Sequence, residues 1–147
     1  MMRALVVFDS THGNTEKIAE AIARGISDDT RTVRASEFKA NDVEGIDVLF
    51  IGSPSVDGRP TERIQELAVG LQGKASGMKI ATFDTRLKVR FSKLHGYASE
   101  RIADQLCESG AKVRARPEGF IVVSRNGPLA NGELERAGSW AARTLRN

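Results

Sequence analysis

Five consecutive apolar residues, Ala4-Leu5-Val6-Val7-Phe8, stand a few positions into the chain with no polar residue to interrupt them. A strand that can leave neither face to water needs cover on both, which is the situation of a parallel sheet between two helical layers. The residues that follow agree with this. Ile18, Ile22 and Ile26 recur at helical spacing, with Ala19 and Ala23 beside them, so one apolar stripe runs down a helix. Between strand and helix lies Ser10-Thr11-His12-Gly13-Asn14-Thr15, six polar or glycine residues in a row. A helix N-terminus presents unpaired backbone N–H groups and the positive end of its dipole, so a hydroxyl-rich loop opening onto one is a place for an anion. Ser, Thr and Asn also serve as ordinary helix caps, but six such residues exceed what a cap needs.

The loop excludes other phosphate binders. It has neither the G-x-G-x-x-G of dinucleotide sites nor the G-x-x-x-x-G-K-[ST] of P-loop NTPases, so neither NAD(P) nor ATP is favoured. No lysine or arginine occurs among residues 9–15, which leaves a bound phosphate to neutral donors. Hydrogen bonds to a charged group are worth about 1.5–3 kcal/mol each, enough for such donors to suffice.

With 147 residues, 40% of them hydrophobic, the chain has the size of one domain, 1–147, with a proper core. No stretch is long enough to span a bilayer and the first residues are too few for a signal-peptide core, so a cytoplasmic protein is expected. The lone Cys107 excludes an internal disulfide and is expected to pack beside the apolar stripe of its helix. His12 and His95 are far apart and no metal-ligand spacing appears, so no metal is expected. A formal charge of +3, with both signs interspersed, is a mild excess and not a nucleic-acid signature.

Strand-like and helix-like segments alternate to the end of the chain. Residues 31–34 read as a short edge-like strand and 47–52 as a buried third strand, followed by a loop at 53–60 and a helix carrying Ile64, Leu67 and Leu71. A fourth strand at 79–83 is expected to run into a loop opening with Asp84, Thr85 and Arg86. The next helix presents Ala98, Ile102 and Leu106 and stops at Gly110. The fifth strand falls within 111–123, interrupted at Pro117, and the last helix carries Leu134, Ala137, Ala141 and Leu145. This alternation predicts an α/β fold: a doubly wound five-stranded parallel sheet of order 2-1-3-4-5, helices on both faces, with ligands beyond the carboxyl ends of strands 1 and 3. The loops after strands 1, 3 and 4 then surround one crevice.

At this point the chain resembles the short-chain flavodoxins over nearly its whole length. The 10–15 loop is similar to that family's T/S-x-T-x-N-T phosphate loop, Gly52-Ser53-Pro54 to the opening of its second flavin loop, and Gly110-Ala111 to the close of the helix after its third loop. The resemblance implies noncovalent FMN and single-electron transfer between redox partner proteins, with no catalytic acid or base. It places Ser10, Thr11, Asn14 and Thr15 on the phosphate, with His12 and Gly13 in the same cofactor-binding loop, and Ser53, Pro54, Ser55, Val56, Asp57, Asp84, Thr85, Arg86 and Phe91 around the isoalloxazine.

Two departures from the family stand out. Flavodoxins press aromatics from the second and third loops against the ring, whereas Val56 and Asp57 occupy the first place here and Phe91 is the sole aromatic in the second; Tyr97 reads as core packing. Arg59, Arg86, Lys88, Arg90 and Lys93 crowd the same loops, where the family commonly has acids. A basic surround implies a less reducing couple and a partner with an acidic docking surface. A response-regulator reading fails because Gly52-Ser53 stands where a phosphoacceptor Asp is needed, and a C-x₅-R phosphatase fails because Cys107 is in a helix. Two further readings stay open beside the carrier: a small FMN-dependent reductase of a quinone or porphyrinogen, and a flavodoxin-like binding module that has lost FMN.

Overall fold

The computed structural model describes residues 2–88 and 96–146. Its strands are β1 (Ala4–Phe8), β2 (Arg31–Arg34), β3 (Val48–Pro54), β4 (Lys79–Leu87), β5 (Lys112–Val113) and β6 (Glu118–Val122). The helices are α1 (Asn14–Ile26), α2 (Glu62–Leu71), α3 (Ala98–Glu108) and α4 (Glu133–Arg146). The strands form one parallel sheet in the order β2-β1-β3-β4-β5, with β6 also pairing with β4. The expected fifth strand is thus split into two short pieces on one edge. The first pairs with Lys79 and Ile80 and the second with residues 83–87, with Pro117, which has no N–H to give a ladder, just before the second.

Alternate residues of the central strands supply two separate cores. Val6, Phe8, Val48, Phe50, Ala81 and Phe83 face α1 and α4, while Leu5, Val7, Leu49, Ile51 and Ile80 face α2 and α3. On the first face Trp140 sits edge-on to Phe50, Phe83 and Phe120 at ring separations of 5.6, 6.3 and 6.0 Å. This ring, not Leu134, anchors α4: Leu134, in the first turn of the helix, is 45% exposed, while Ala137, Trp140, Ala141 and Thr144 are buried. Cys107 likewise departs from expectation. It is exposed, because Ile102, Ala103 and Leu106 occupy the inward side of α3.

The fourth strand is longer than its apolar residues suggest. Asp84, Thr85 and Arg86 belong to β4 and not to a loop, since Ser53 and Pro54 of β3 flank Asp84 and Thr85 on one side, and Gly119, Phe120 and Ile121 of β6 flank Asp84 to Arg86 on the other. Polar side chains in a row read as a loop only while their partners are unknown.

Two features bind α4 to the rest. Gly25 and Gly138 let α1 and α4 approach closely: a Cβ on Gly25 would stand 2.4 Å from the Gly138 carbonyl oxygen. Glu133, nearly buried at the start of α4, accepts from the Ile121 N–H (2.7 Å) and from Arg136 (2.8 Å), which also reaches Glu118 (2.7 Å) and stacks on Phe120. The hydrogen bond from Arg136 lowers the Glu133 pKa against the opposing effect of burial, helped by the Ile121 N–H and the Arg136 charge.

A folded-state pKa below the unfolded one means that the stabilisation is complete above the ordinary carboxylate range and is lost as the pH falls through the folded value. Glu133→Gln is therefore expected to lower stability by about 1–3 kcal/mol at neutral pH. Urea midpoints of variant and parent should converge as the pH drops below the ordinary carboxylate range. Gly25→Ala should cost about 1–3 kcal/mol through the clash with Gly138. Gly70→Ala in α2, where a Cβ meets nothing within 4 Å, should instead raise stability by about 0.4–1 kcal/mol in the same assay.

Candidate functional site

The first loop is held from beneath. At the end of β1 the Asp9 carboxylate accepts from the Ser10 N–H (3.0 Å) and from the Thr61 hydroxyl (2.6 Å), while the Asp9 N–H donates to Gly52 (3.1 Å). The Ser10 Oγ accepts from the N–H groups of Gly13 (3.0 Å) and Glu16 (3.4 Å). Gly13, the N-cap of α1, has φ 88°, a left-handed conformation that glycine adopts without penalty. With these bonds made, the N–H groups of Thr11, His12, Asn14 and Thr15 find no acceptor among the described residues. Four such donors at one helix N-terminus, flanked by hydroxyls, fit an anion.

The second loop is tied to both neighbours. The buried Ser53 hydroxyl donates to the Pro54 carbonyl (2.9 Å) and accepts from the Thr61 N–H (3.0 Å). Ser55 donates its N–H to the Thr85 carbonyl (2.9 Å), and its Oγ accepts from the Ala98 N–H (2.8 Å). Beyond it Val56 and Arg59 close a two-residue hairpin, their N–H groups and carbonyls paired at 2.9 and 3.0 Å. The central residues Asp57 and Gly58 have φ 51° and 78°, the pattern of a type I′ turn, for which Asp-Gly is a preferred sequence. Val56 at the start of this turn is 54% exposed.

On β4 the polar run forms a cluster of its own. Thr85 and Thr15 share a buried hydroxyl–hydroxyl bond of 2.8 Å that joins β4 to the start of α1. Asp84, fully buried, accepts two bonds of 2.7 Å from the Arg86 guanidinium and one of 3.0 Å from the Ser99 N–H. The Arg86 guanidinium carbon lies over the Tyr97 ring, 3.3 Å from its centroid, and Gly119 leaves the guanidinium room that a Cβ would take. Burial disfavours the Arg86 charge, yet the hydrogen bond and the charge of Asp84 raise its pKa above the ordinary value. Tyr97 is thus a half-buried platform for Arg86 and not a core residue.

These elements enclose a crevice of about 380 Å³, within the usual range for small-ligand sites of roughly 300–1,000 Å³. Thr11, His12, Asn14 and Thr15 line it from the first loop, Pro54, Ser55, Val56 and Asp57 from the second, and Thr85 and Arg86 from β4. Ser10, Gly13, Ser53 and Asp84 stand behind these walls as braces. Phe91 lies outside the described residues, as do Arg90, Lys93 and His95. Leu87, Val122 and Arg125 also line the crevice; the sequence reading missed them because β6 had not been placed against the far end of β4. The basic surround also differs from expectation, since the charge of Arg86 is already taken by Asp84.

The lining combines the unpaired amides and hydroxyls of the first loop with the apolar side chains of Pro54, Val56, Leu87 and Val122. A group with a phosphate at one end and an apolar body at the other fits this arrangement, FMN among such groups. No aromatic side chain lines the crevice among the described residues.

Comparison with known proteins bears on the family. The family model for flavodoxin matches residues 6–113. A flavodoxin from Clostridium beijerinckii is 31% identical over 83 residues, 53% of this chain; the match spans 60% of that protein's length. Among solved structures, a flavodoxin from the domain Archaea superposes with a TM-score of 0.81 at 21% identity, covering 99% of this chain and 97% of its own. The oxidised flavodoxin 1 of Bacillus cereus gives 0.80 at 19% identity, over 99% and 98% of the two chains. The structural likenesses speak to the fold, including the β6–α4 end that the family model leaves out, while the sequence match over residues 6–113 settles the kinship: the chain belongs to the flavodoxin family.

Proposed function

We propose that the crevice holds FMN noncovalently and that the protein passes single electrons between redox partners. The observation that carries this reading is the set of unpaired N–H groups on Thr11, His12, Asn14 and Thr15, opening into the crevice at the start of α1. They suit a phosphate dianion, with the Thr11 hydroxyl as a further donor and Ser10 and Gly13 shaping the loop. Pro54, Ser55, Val56, Asp57, Thr85, Arg86, Leu87 and Val122 then bound the flavin ring, with Ser53 and Asp84 behind them. When bound, FMN supplies reversible one-electron chemistry, and the chain's part is to hold it, shape its access to water and set the local charge. A carrier is favoured over a reductase because the carboxylates behind the crevice wall are engaged, Asp84 by Arg86 and Ser99 and Asp9 by Ser10 and Thr61, and the one carboxylate in the lining, Asp57, sits in an exposed turn.

The surface around the crevice mouth supports a partner with an acidic docking face. Arg59 and Lys88 are exposed there, beside exposed Val56, Leu87 and Val123. A cytoplasmic location goes with this reading: no helix of the described residues is long and apolar enough to cross a membrane, and Cys107 is an exposed free thiol of the kind reducing compartments maintain.

The visible spectrum of the purified protein before and after adding FMN tests the reading; a colourless protein that gains no flavin absorbance would overturn it. Since no aromatic side chain lines the crevice among the described residues, affinity should rest on the phosphate end. Riboflavin, which lacks the phosphate, is expected to bind at least about 100-fold more weakly than FMN, equivalent to one or two hydrogen bonds to a charged group. Asp84→Asn should leave Arg86 without its counter-charge, lowering stability by about 3 kcal/mol. In spectroelectrochemistry of the FMN-loaded protein the same change should raise the flavin potential by tens of millivolts, since about 59 mV corresponds to 1.4 kcal/mol for one electron.

A further inference from the structure

The phosphate loop carries no cation of its own in residues 9–15, yet the fold brings one to it from the other end of the chain. After β6 the chain turns back on itself. Val123 donates to the Pro128 carbonyl (2.9 Å), Ala130 to Ile121 (2.8 Å) and Gly127 to Ser124 (2.9 Å), while the Ser124 hydroxyl bonds the Gly127 carbonyl. This turn sits directly on the start of α1: Gly127 has φ 102°, and a Cβ there would lie 2.7 Å from the Asn14 side-chain oxygen. Arg125, two residues earlier, lines the same crevice as Thr11, His12 and Asn14. No ion pair or hydrogen bond engages it among the described residues, in contrast to Arg86.

We infer that Arg125 is the cationic anchor of the phosphate end, supplying the charge that the first loop lacks and selecting a phosphomonoester over its neutral alcohol. The inference rests on the FMN reading above and deepens it. A guanidinium offers several donors in a fixed fork, and its bonds to phosphate are charge-assisted and short. The turn that carries it is already ordered by its own hydrogen bonds, so binding need immobilise only the side chain. Because Arg125 is exposed, its attraction is open to screening, which gives the contribution a signature that a packing role lacks.

Dissociation constants for FMN and riboflavin, read by flavin fluorescence in parent, Arg125→Gln and Arg125→Lys at low salt and at about 0.5 M salt, test this. Arg125→Gln should weaken FMN binding roughly tenfold or more at low salt and flatten its salt dependence. Riboflavin affinity should stay within about twofold, and Arg125→Lys should recover part of the loss with the salt dependence restored. Equal weakening of FMN and riboflavin would make Arg125 a wall of the ring pocket and overturn the inference, as would an Arg125→Gln protein that binds FMN like its parent. A parent protein that does not bind FMN at any salt overturns the FMN reading itself, and this inference with it. Unchanged thermal midpoints of both variants separate these outcomes from a folding defect.

Discussion

The double burial of β1 and β3 is the constraint on which the rest of the molecule hangs. Side by side and in register from Ala4–Val48 to Phe8–Gly52, the two strands present apolar side chains to α1 and α4 on one face and to α2 and α3 on the other. Their connections must therefore leave the sheet in opposite directions, and the crevice opens where they diverge. Parallel pairing also brings the carboxyl ends of β1, β3 and β4 to one edge. That is why a hydroxyl at residue 15 can meet one at residue 85 at 2.8 Å.

The crevice shows a division of labour between residues that brace and residues that face outward. Asp9, Ser10, Ser53 and Asp84 spend their hydrogen bonds on backbone and on neighbouring loops, and what remains unpaired is a row of backbone N–H groups. Backbone donors of this kind are held in place by the fold itself. The rest of the lining is built differently, with the apolar side chains of Val56, Leu87 and Val122 and no aromatic ring among the described residues.

Charge near the crevice cannot be counted from the sequence. Arg86 and Asp84 are two residues apart on one strand and therefore point to the same side, where they form a closed pair over Tyr97, with Gly119 making room. Arg125 stands 39 positions further on and carries its charge unpaired into the same space. Two arginines of equal formal charge thus act differently: one is a structural tie and the other an exposed field.

The alternation of unbroken apolar runs with 3.6-residue stripes was enough to read the sheet order, the two-sided packing and the position of the hydroxyl-rich loop at the start of α1, because each depends on local periodicity and on groups next to one another in the chain. The left-handed Gly13 and the two-residue Asp57-Gly58 turn lie inside segments that read from sequence only as loops, and the backbone supplies their conformation. What required the tertiary structure were contacts between elements far apart in sequence: the extension of β4 through Arg86, whose polar residues become strand only when β3 and β6 flank them; the burial of Trp140 in place of Leu134; the neutralisation of Arg86; and the arrival of Val122 and Arg125 in the crevice. Local pattern determines which elements form, whereas the partners of a polar side chain are set by whatever the packed sheet brings beside it.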